Sequence, residues 1–256
     1  MSSLDYDTLH QYIEDFVVAP FYQKRTEKLE ELKLKTILKR KNPYLFKAKN
    51  IQTAGDYAKD LLYAHLSSQE ETIFGDLLEA LAIHINATVY GGWKAEKGTY
   101  KSIDLIFDKD NIRYVVGIKS GPFWGNSDQK SIMKSNFKIV RHIFKEEGWK
   151  GKIICVNGCI YGKDKKPLKI DAKDPEKNYY KYCGQEFWSF VSGDKNLYQS
   201  IIVPLDKEVK KRDERFKELC IIVTNRLTKD LLDNFCKDGL LNWKEILDFV
   251  SKKATN

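Results

Sequence analysis

Apolar positions recur at helical spacing through residues 5–41: Leu9, Ile13, Phe16 and Val17, then, past an interruption at Pro20, Leu29, Leu32, Ile37 and Leu38. The second piece is highly charged with a narrow apolar stripe, which suits a solvated arm or half of a dimer contact. Asn42-Pro43 stops the helical pattern, and residues 42–50 (NPYLFKAKN) read as a loop or short turn. Residues 53–65 predict a further helix, with Ala54, Tyr57, Ala58, Leu61 and Leu62 on one side. Ser68 with Glu71 three residues later predicts a capping box that opens the next helix, whose apolar side is Ile73, Phe74, Leu77, Leu78, Leu81 and Ile85. Glu71, Gly75 and Glu79 lie four apart on one face of it.

The period then changes. A short strand at residues 88–90 ends at Gly91-Gly92, and residues 103–107 and 113–119 read as a hairpin around the polar turn at 108–111. Residues 128–147 return to helical spacing through Ile132, Met133, Phe137, Val140, Ile143 and Phe144, and KIICV at 152–156 is a buried strand. A lysine-rich excursion with little periodicity follows, either a loop that closes on a polyanion or a solvated insertion. A strand at 200–205 and helices near 207–235 and 242–253 finish the chain. Alternating strands and helices predict an α/β (α+β) fold, a central mixed β-sheet flanked by helices. The expected organisation is a helical N-terminal region (1–66) for dimerisation or DNA contact, a catalytic core (67–205) and C-terminal helices (206–256) packed on it.

Charge narrows the chemistry. The 256 residues carry 44 Lys+Arg against 36 Asp+Glu, a net charge of +8, and a basic surface of that size suits a polyanion such as nucleic acid. Five scattered cysteines without a Cys-x-x-Cys pair and four dispersed histidines resemble neither a zinc site nor a disulfide framework. The first residues lack an apolar signal core and no run of about 18 apolar residues occurs, so a cytoplasmic protein without a membrane segment is expected.

Within residues 75–119, a helix carrying Glu79, a strand entering with Asp104 and a neighbouring strand ending in Lys119 are the parts of a metal-dependent nuclease core. Hydrolysis of a phosphodiester needs charge neutralised at the phosphoryl oxygens and a water deprotonated in line with the leaving group. Asp104 opens a hydrophobic strand, a poor place for a charge without a partner, though a strand-end carboxylate can also simply face solvent. Lys119 ends VVGIK, a run otherwise fit for burial, and the bland alternative is a lysine snorkelling outward. Alternation puts Gly117 and Lys119 on one face, and the Ile118 carbonyl is an acceptable ligand for a hard cation. Glu79, with Glu71 behind it, is the helix carboxylate in reach; either is equally well a solvent-facing glutamate. The predicted Mg²⁺ ligands are therefore Asp104, Glu79 and the Ile118 carbonyl, with Asp104, Lys119 and Glu79 catalytic.

Two segments supply candidate DNA contacts. Lys47, Lys49 and Asn50 mix with aromatics in the first, which equally suits a loop pinned to the core. The second comes directly off Lys119, where Ser120, Trp124, Asn126, Ser127, Gln129 and Lys130 can bond phosphates or base edges and Trp124 can stack or wedge.

The order of Asp, x-x-Lys and a preceding Gly-x-x-x-Glu helix resembles the PD-(D/E)xK nuclease superfamily. NPYLFKAKN, SSQEETIFGDLLEALA, GIKSGPFWGNS and GQEFWSFVSGDKNLY more specifically resemble the PmeII-like group of type II restriction endonucleases, over roughly residues 42–205. That resemblance implies a homodimer that binds a short, roughly palindromic duplex site, cuts both strands with Mg²⁺, and works beside a companion DNA methyltransferase. Asp104 and Lys119 carry over as catalytic residues by motif match. The acidic position does not, because Gly117 stands there, and Ile103 replaces the proline that names the motif. Either a carboxylate from elsewhere completes the site, Glu79 first and Glu71 second, or the chain binds without cutting. A structure-selective repair nuclease of the same fold is the remaining alternative.

Overall fold

The computed structural model describes residues 4–206 and 209–253, and the chain divides into two compact units. One comprises residues 1–18 and 75–207 and contains the sheet; the other comprises 19–74 and 208–256 and is helical. Residues 19–74 thus share a unit with the C-terminal helices, residues 1–18 fall with the sheet, and the division at 74/75 lies inside a helix.

The sheet unit begins with α1 (Tyr6–Ile13). Its mixed sheet has the order β1-β2-β3-β4-β6-β5, with β1 Trp93–Lys94, β2 Leu105–Lys109, β3 Ile112–Lys119, β4 Lys152–Cys159, β5 Leu168–Lys169 and β6 Tyr179–Cys183. β2 and β3 are antiparallel, joined by Asp110 and Asn111 at φ 52° and 59°. Both central residues at positive φ make the type I′ hairpin that short polar side chains tolerate. Asp108 and Arg113 close the hairpin with two hydrogen bonds of 2.9 and 2.8 Å. β4 and β6 then add in parallel. Over one face lies α6 (Ser127–Glu146), with Met133, Phe137, Val140 and Phe144 buried against Ile106, Val115 and Cys155. α7 (Gln185–Ser192) and α8 (Leu197–Ser200) complete the unit.

The helical unit holds α2 (Ala19–Glu30), α3 (Leu34–Leu38), α4 (Pro43–Ala48), the first part of α5 (Ala54–Tyr90), α9 (Val209–Phe235) and α10 (Trp243–Ser251), with the ribbon β7 (Cys236–Lys237) and β8 (Leu240–Leu241). Leu29, Leu34, Ile37 and Leu38 are buried in its core with Leu61, Val223 and Leu227. The stripe that suggested an arm or a dimer contact is therefore spent inside its own unit.

Several local expectations give way for identifiable reasons. Residues 53–65 and 68–85 form one helix, α5, because the Ser68 hydroxyl bonds back to the Ala64 and His65 carbonyls instead of capping a new start. Residues 88–90 are its last turn, ended by Gly91 at φ 71°. α5 is long and apolar enough to cross a membrane by length and composition alone, and Leu61, Ile73, Leu81 and Ile85 on it are buried in the protein. Asn42 does not merely stop a helix: its side chain caps α4, with Pro43 in the first turn. Residues 200–205 turn through the end of α8 and a short 3-10 helix, where Pro204 lacks a ladder donor. The start of the helix expected at 207 lies outside the described residues. The lysine-rich excursion contributes β5 and β6, and its acids fasten it to α6 through Lys134–Asp171 (3.2 Å) and Lys138–Asp174 (3.0 Å).

Candidate active site

Asp104 immediately precedes β2 and stands level with Gly117 of β3, since Leu105 pairs with Val116. Its main chain continues the ladder, Asp104 N–H donating to Val116 O at 2.9 Å. Its carboxylate accepts the Ile118 backbone N–H at 2.7 Å. Lys119, at the end of the same strand, brings its ammonium to 4.0 Å from Asp104 Oδ2 and donates to the Ile118 carbonyl at 2.8 Å. A carbonyl oxygen has two lone pairs, so the ammonium occupies one of them. Asp104 is 13% and Lys119 33% exposed, a half-sheltered pair open on one side.

Glu79, on the third turn before the end of α5's apolar run, reaches the same place. Burial pushes its carboxyl above the usual glutamate range, and the Asp104 charge pushes it further, against the opposing pull of Lys94, Lys97 and Lys119. Lys94 of β1 lies 3.9 Å from Glu79 Oε1. The structure thus gathers Asp104, the Ile118 carbonyl and Lys119 at one end of the β2–β3 ladder, with Glu79 of α5 within electrostatic reach of Asp104 and Lys119. Glu71 belongs to the other unit.

Gly117 is not an open gap. A Cβ built there would stand 2.6 Å from the Ser102 carbonyl oxygen and 3.9 Å from Phe137 Cζ. Ser102 is held at φ 63°, and its hydroxyl takes a 2.7 Å bond from Asn136 of α6. The backbone before Asp104 therefore fills the space in which an acid at position 117 would begin. Glycine at 117 thus opens no space for a helix carboxylate: the room is occupied by main chain.

The segment after Lys119 is tightly built. Trp124 donates its indole N–H to Asn157 Oδ1 at 2.9 Å, and the Lys119 ammonium lies 5.6 Å from the centre of its ring. Asn126 and Gln129 bond each other's backbone N–H groups (2.9 and 3.0 Å), a capping box that starts α6. The Ser120 hydroxyl lies 2.8 Å from where a Cβ on Gly75 would sit, so a small residue on α5 lets the strand end approach. Ser127 and Lys130 occupy the first turn of α6. Lys47, Lys49 and Asn50 belong to the helical unit: Lys47 lies over the Trp243 ring, Lys49 pairs with Asp60 at 3.3 Å, and Asn50 accepts from Gln52 at 2.9 Å.

Two participants escaped the sequence reading. Lys94 hides among the turn lysines 94, 97 and 101. Asn157 is buried in β4 beside Gly117, whose carbonyl it bonds at 3.3 Å while holding Trp124. An amide in the middle of KIICVNG was the available signal, because a buried amide needs partners.

The family model described as type II restriction endonuclease EcoO109I matches residues 7–213. No curated protein sequence matches the chain.

Proposed function

The chain belongs to the type II restriction endonuclease EcoO109I family, and on that premise we propose that it hydrolyses phosphodiester bonds of double-stranded DNA in a sequence-specific, Mg²⁺-dependent reaction at Glu79, Asp104 and Lys119. The family match supports a nuclease acting on duplex DNA. The observation that carries the rest is the sheltered Asp104–Lys119 pair at the end of β3, with the Glu79 carboxylate in electrostatic reach of both.

A divalent cation fits this donor set. Burial first, and the Asp104 charge second, raise the Glu79 carboxyl despite three neighbouring lysines, so a cation held there would offset the cost of ionising it. Among the described residues no group of three or more His, Cys, Asp or Glu side chains is placed to hold a metal. Mg²⁺ keeps several waters and takes one or two carboxylates, so Asp104 and Glu79 would hold it, with the Ile118 carbonyl as a third oxygen. When bound it supplies positive charge at the phosphoryl oxygens and makes an attacking water more acidic. The Lys119 ammonium steadies the water or the charged phosphorane. The Ile118 N–H fixes the Asp104 carboxylate, and the Trp124 ring, anchored by Asn157, borders the lysine.

Two cuts from one site per chain follow if two copies act on a twofold-symmetric sequence, so the working form in this reading is a homodimer. The same reading places it in the cytoplasm, beside a methyltransferase that protects host sites. A digest of long unmethylated phage DNA tests the function. Discrete fragments that need Mg²⁺, fail with EDTA and fail with Lys119→Ala are expected. Intact DNA under conditions where the protein still binds it would instead favour a binder in which Gly117 marks a dead site, and a smear would favour a structure-selective nuclease.

A further inference from the structure

Phe123 is the most exposed large apolar side chain among the described residues, at 96%. Scattered apolar residues on a surface need no explanation; this one is held out by its neighbours. On one side, Ser120 O accepts the Tyr161 N–H at 3.1 Å, the Tyr161 ring lies where a Cβ on Gly121 would stand, and Pro122 O accepts from Lys181 Nζ at 2.7 Å. Pro122 itself is buried and its ring packs against Gly162. On the other side, Trp124 is bonded to Asn157 and Asn126 caps α6. Between these anchors Phe123 makes no ring–ring or cation–ring contact among the described residues.

We propose that Phe123 is a wedge that inserts between adjacent base pairs of the bound duplex, next to the phosphodiester addressed by Lys119. This rests on the proposed nuclease function. Three residues lie between Lys119 and Phe123, so their Cα atoms are at most about 14 Å apart, and a phosphate held at the lysine puts the ring within a few base-pair steps of the cut. The surroundings suit DNA: Lys119 lies at the start of the loop, and a ring that water surrounds gains by stacking on bases, whatever their identity. Trp124, the wedge expected from sequence, is already engaged with Lys119 and Asn157. Inserting a ring unstacks a step, which is cheapest at pyrimidine–purine steps, so the wedge also gives sequence preference without a base-edge hydrogen bond.

The test uses the full chain and a duplex carrying the cut site read from the fragment ends, with 2-aminopurine placed in turn at each nearby step and EDTA present to prevent cleavage. Wild type is expected to raise the fluorescence at one step. Phe123→Ala is expected to abolish that rise and weaken binding about tenfold to a hundredfold, with an unchanged circular dichroism spectrum, while Phe123→Trp retains both. Wild-type cleavage with no fluorescent step, or Phe123→Ala binding as tightly as wild type, overturns the wedge and leaves the nuclease standing. A wild type that neither binds nor cuts duplex DNA overturns the nuclease reading and the wedge with it.

Discussion

Lys119 and Lys49 have the same kinds of neighbour and do not make the same kind of place. Each lies over an aromatic ring, at 5.6 Å from Trp124 and 5.4 Å from Phe46, and each has one aspartate, at 4.0 and 3.3 Å. Lys49 and Asp60 are 51% and 37% exposed and satisfy each other, a surface pair of the sort that contributes little. Lys119 and Asp104 are half-sheltered, the aspartate is turned toward a backbone N–H, and a second carboxylate on α5 presses against the first. A lysine, a ring and an aspartate are therefore not a site by themselves. What sets Lys119 apart is a sheltered aspartate held by a backbone N–H, with a second carboxylate within electrostatic reach.

The sharpest break in that comparison is kinetic. Lys119→Ala is expected to lower single-turnover cleavage by about a hundredfold to a thousandfold, the usual cost of removing one preorganised charge at a reacting centre. Lys49→Ala is expected to change the same rate by less than about threefold. Equal losses in the two variants, measured on one labelled duplex, would erase the distinction.

A smaller effect sharpens the role of Gly117. Restoring an acid by Gly117→Glu is expected to reduce stability by about 1–3 kcal/mol, as overpacking does, because the Ser102 backbone must move. It should not raise cleavage. Denaturant melts alongside rate measurements check both halves, and a faster enzyme of undiminished stability would show that the space is not filled as described.

How far the sequence carried can be seen at particular residues. The hairpin was legible because IDLIF and RYVVGIK flank the polar turn at 108–111, and that alone put Asp104 and Lys119 on neighbouring strands. What sequence could not show is what depends on distant chain. β6 is a run of tyrosines and lysine whose place is set only by its parallel pairing with β4, Val156 opposite Tyr180. Likewise, the filling of the Gly117 site comes from a turn fifteen residues upstream that is pinned by α6. Serine and asparagine misled locally, since Ser68 bonds within α5 and Asn42 opens a helix it was read as ending. Trp124 and Phe123 are adjacent in sequence, and only packing distinguishes the anchored ring from the free one.

The central claim is that Glu79 completes the site that Gly117 leaves without an acid, and Glu79→Gln tests it most directly. The raised carboxyl of Glu79 favours the protonated form, so its contribution to the stability of the metal-free protein is present below the ordinary glutamate value and lost as pH rises through its own. The amide carries no such penalty, so at neutral pH metal-free Glu79→Gln should melt at or above the wild-type temperature. Its Mg²⁺-dependent single-turnover cleavage should meanwhile fall by about a hundredfold or more. A folded Glu79→Gln that cuts at the wild-type rate, with the wild-type dependence on Mg²⁺ and pH, would contradict the claim.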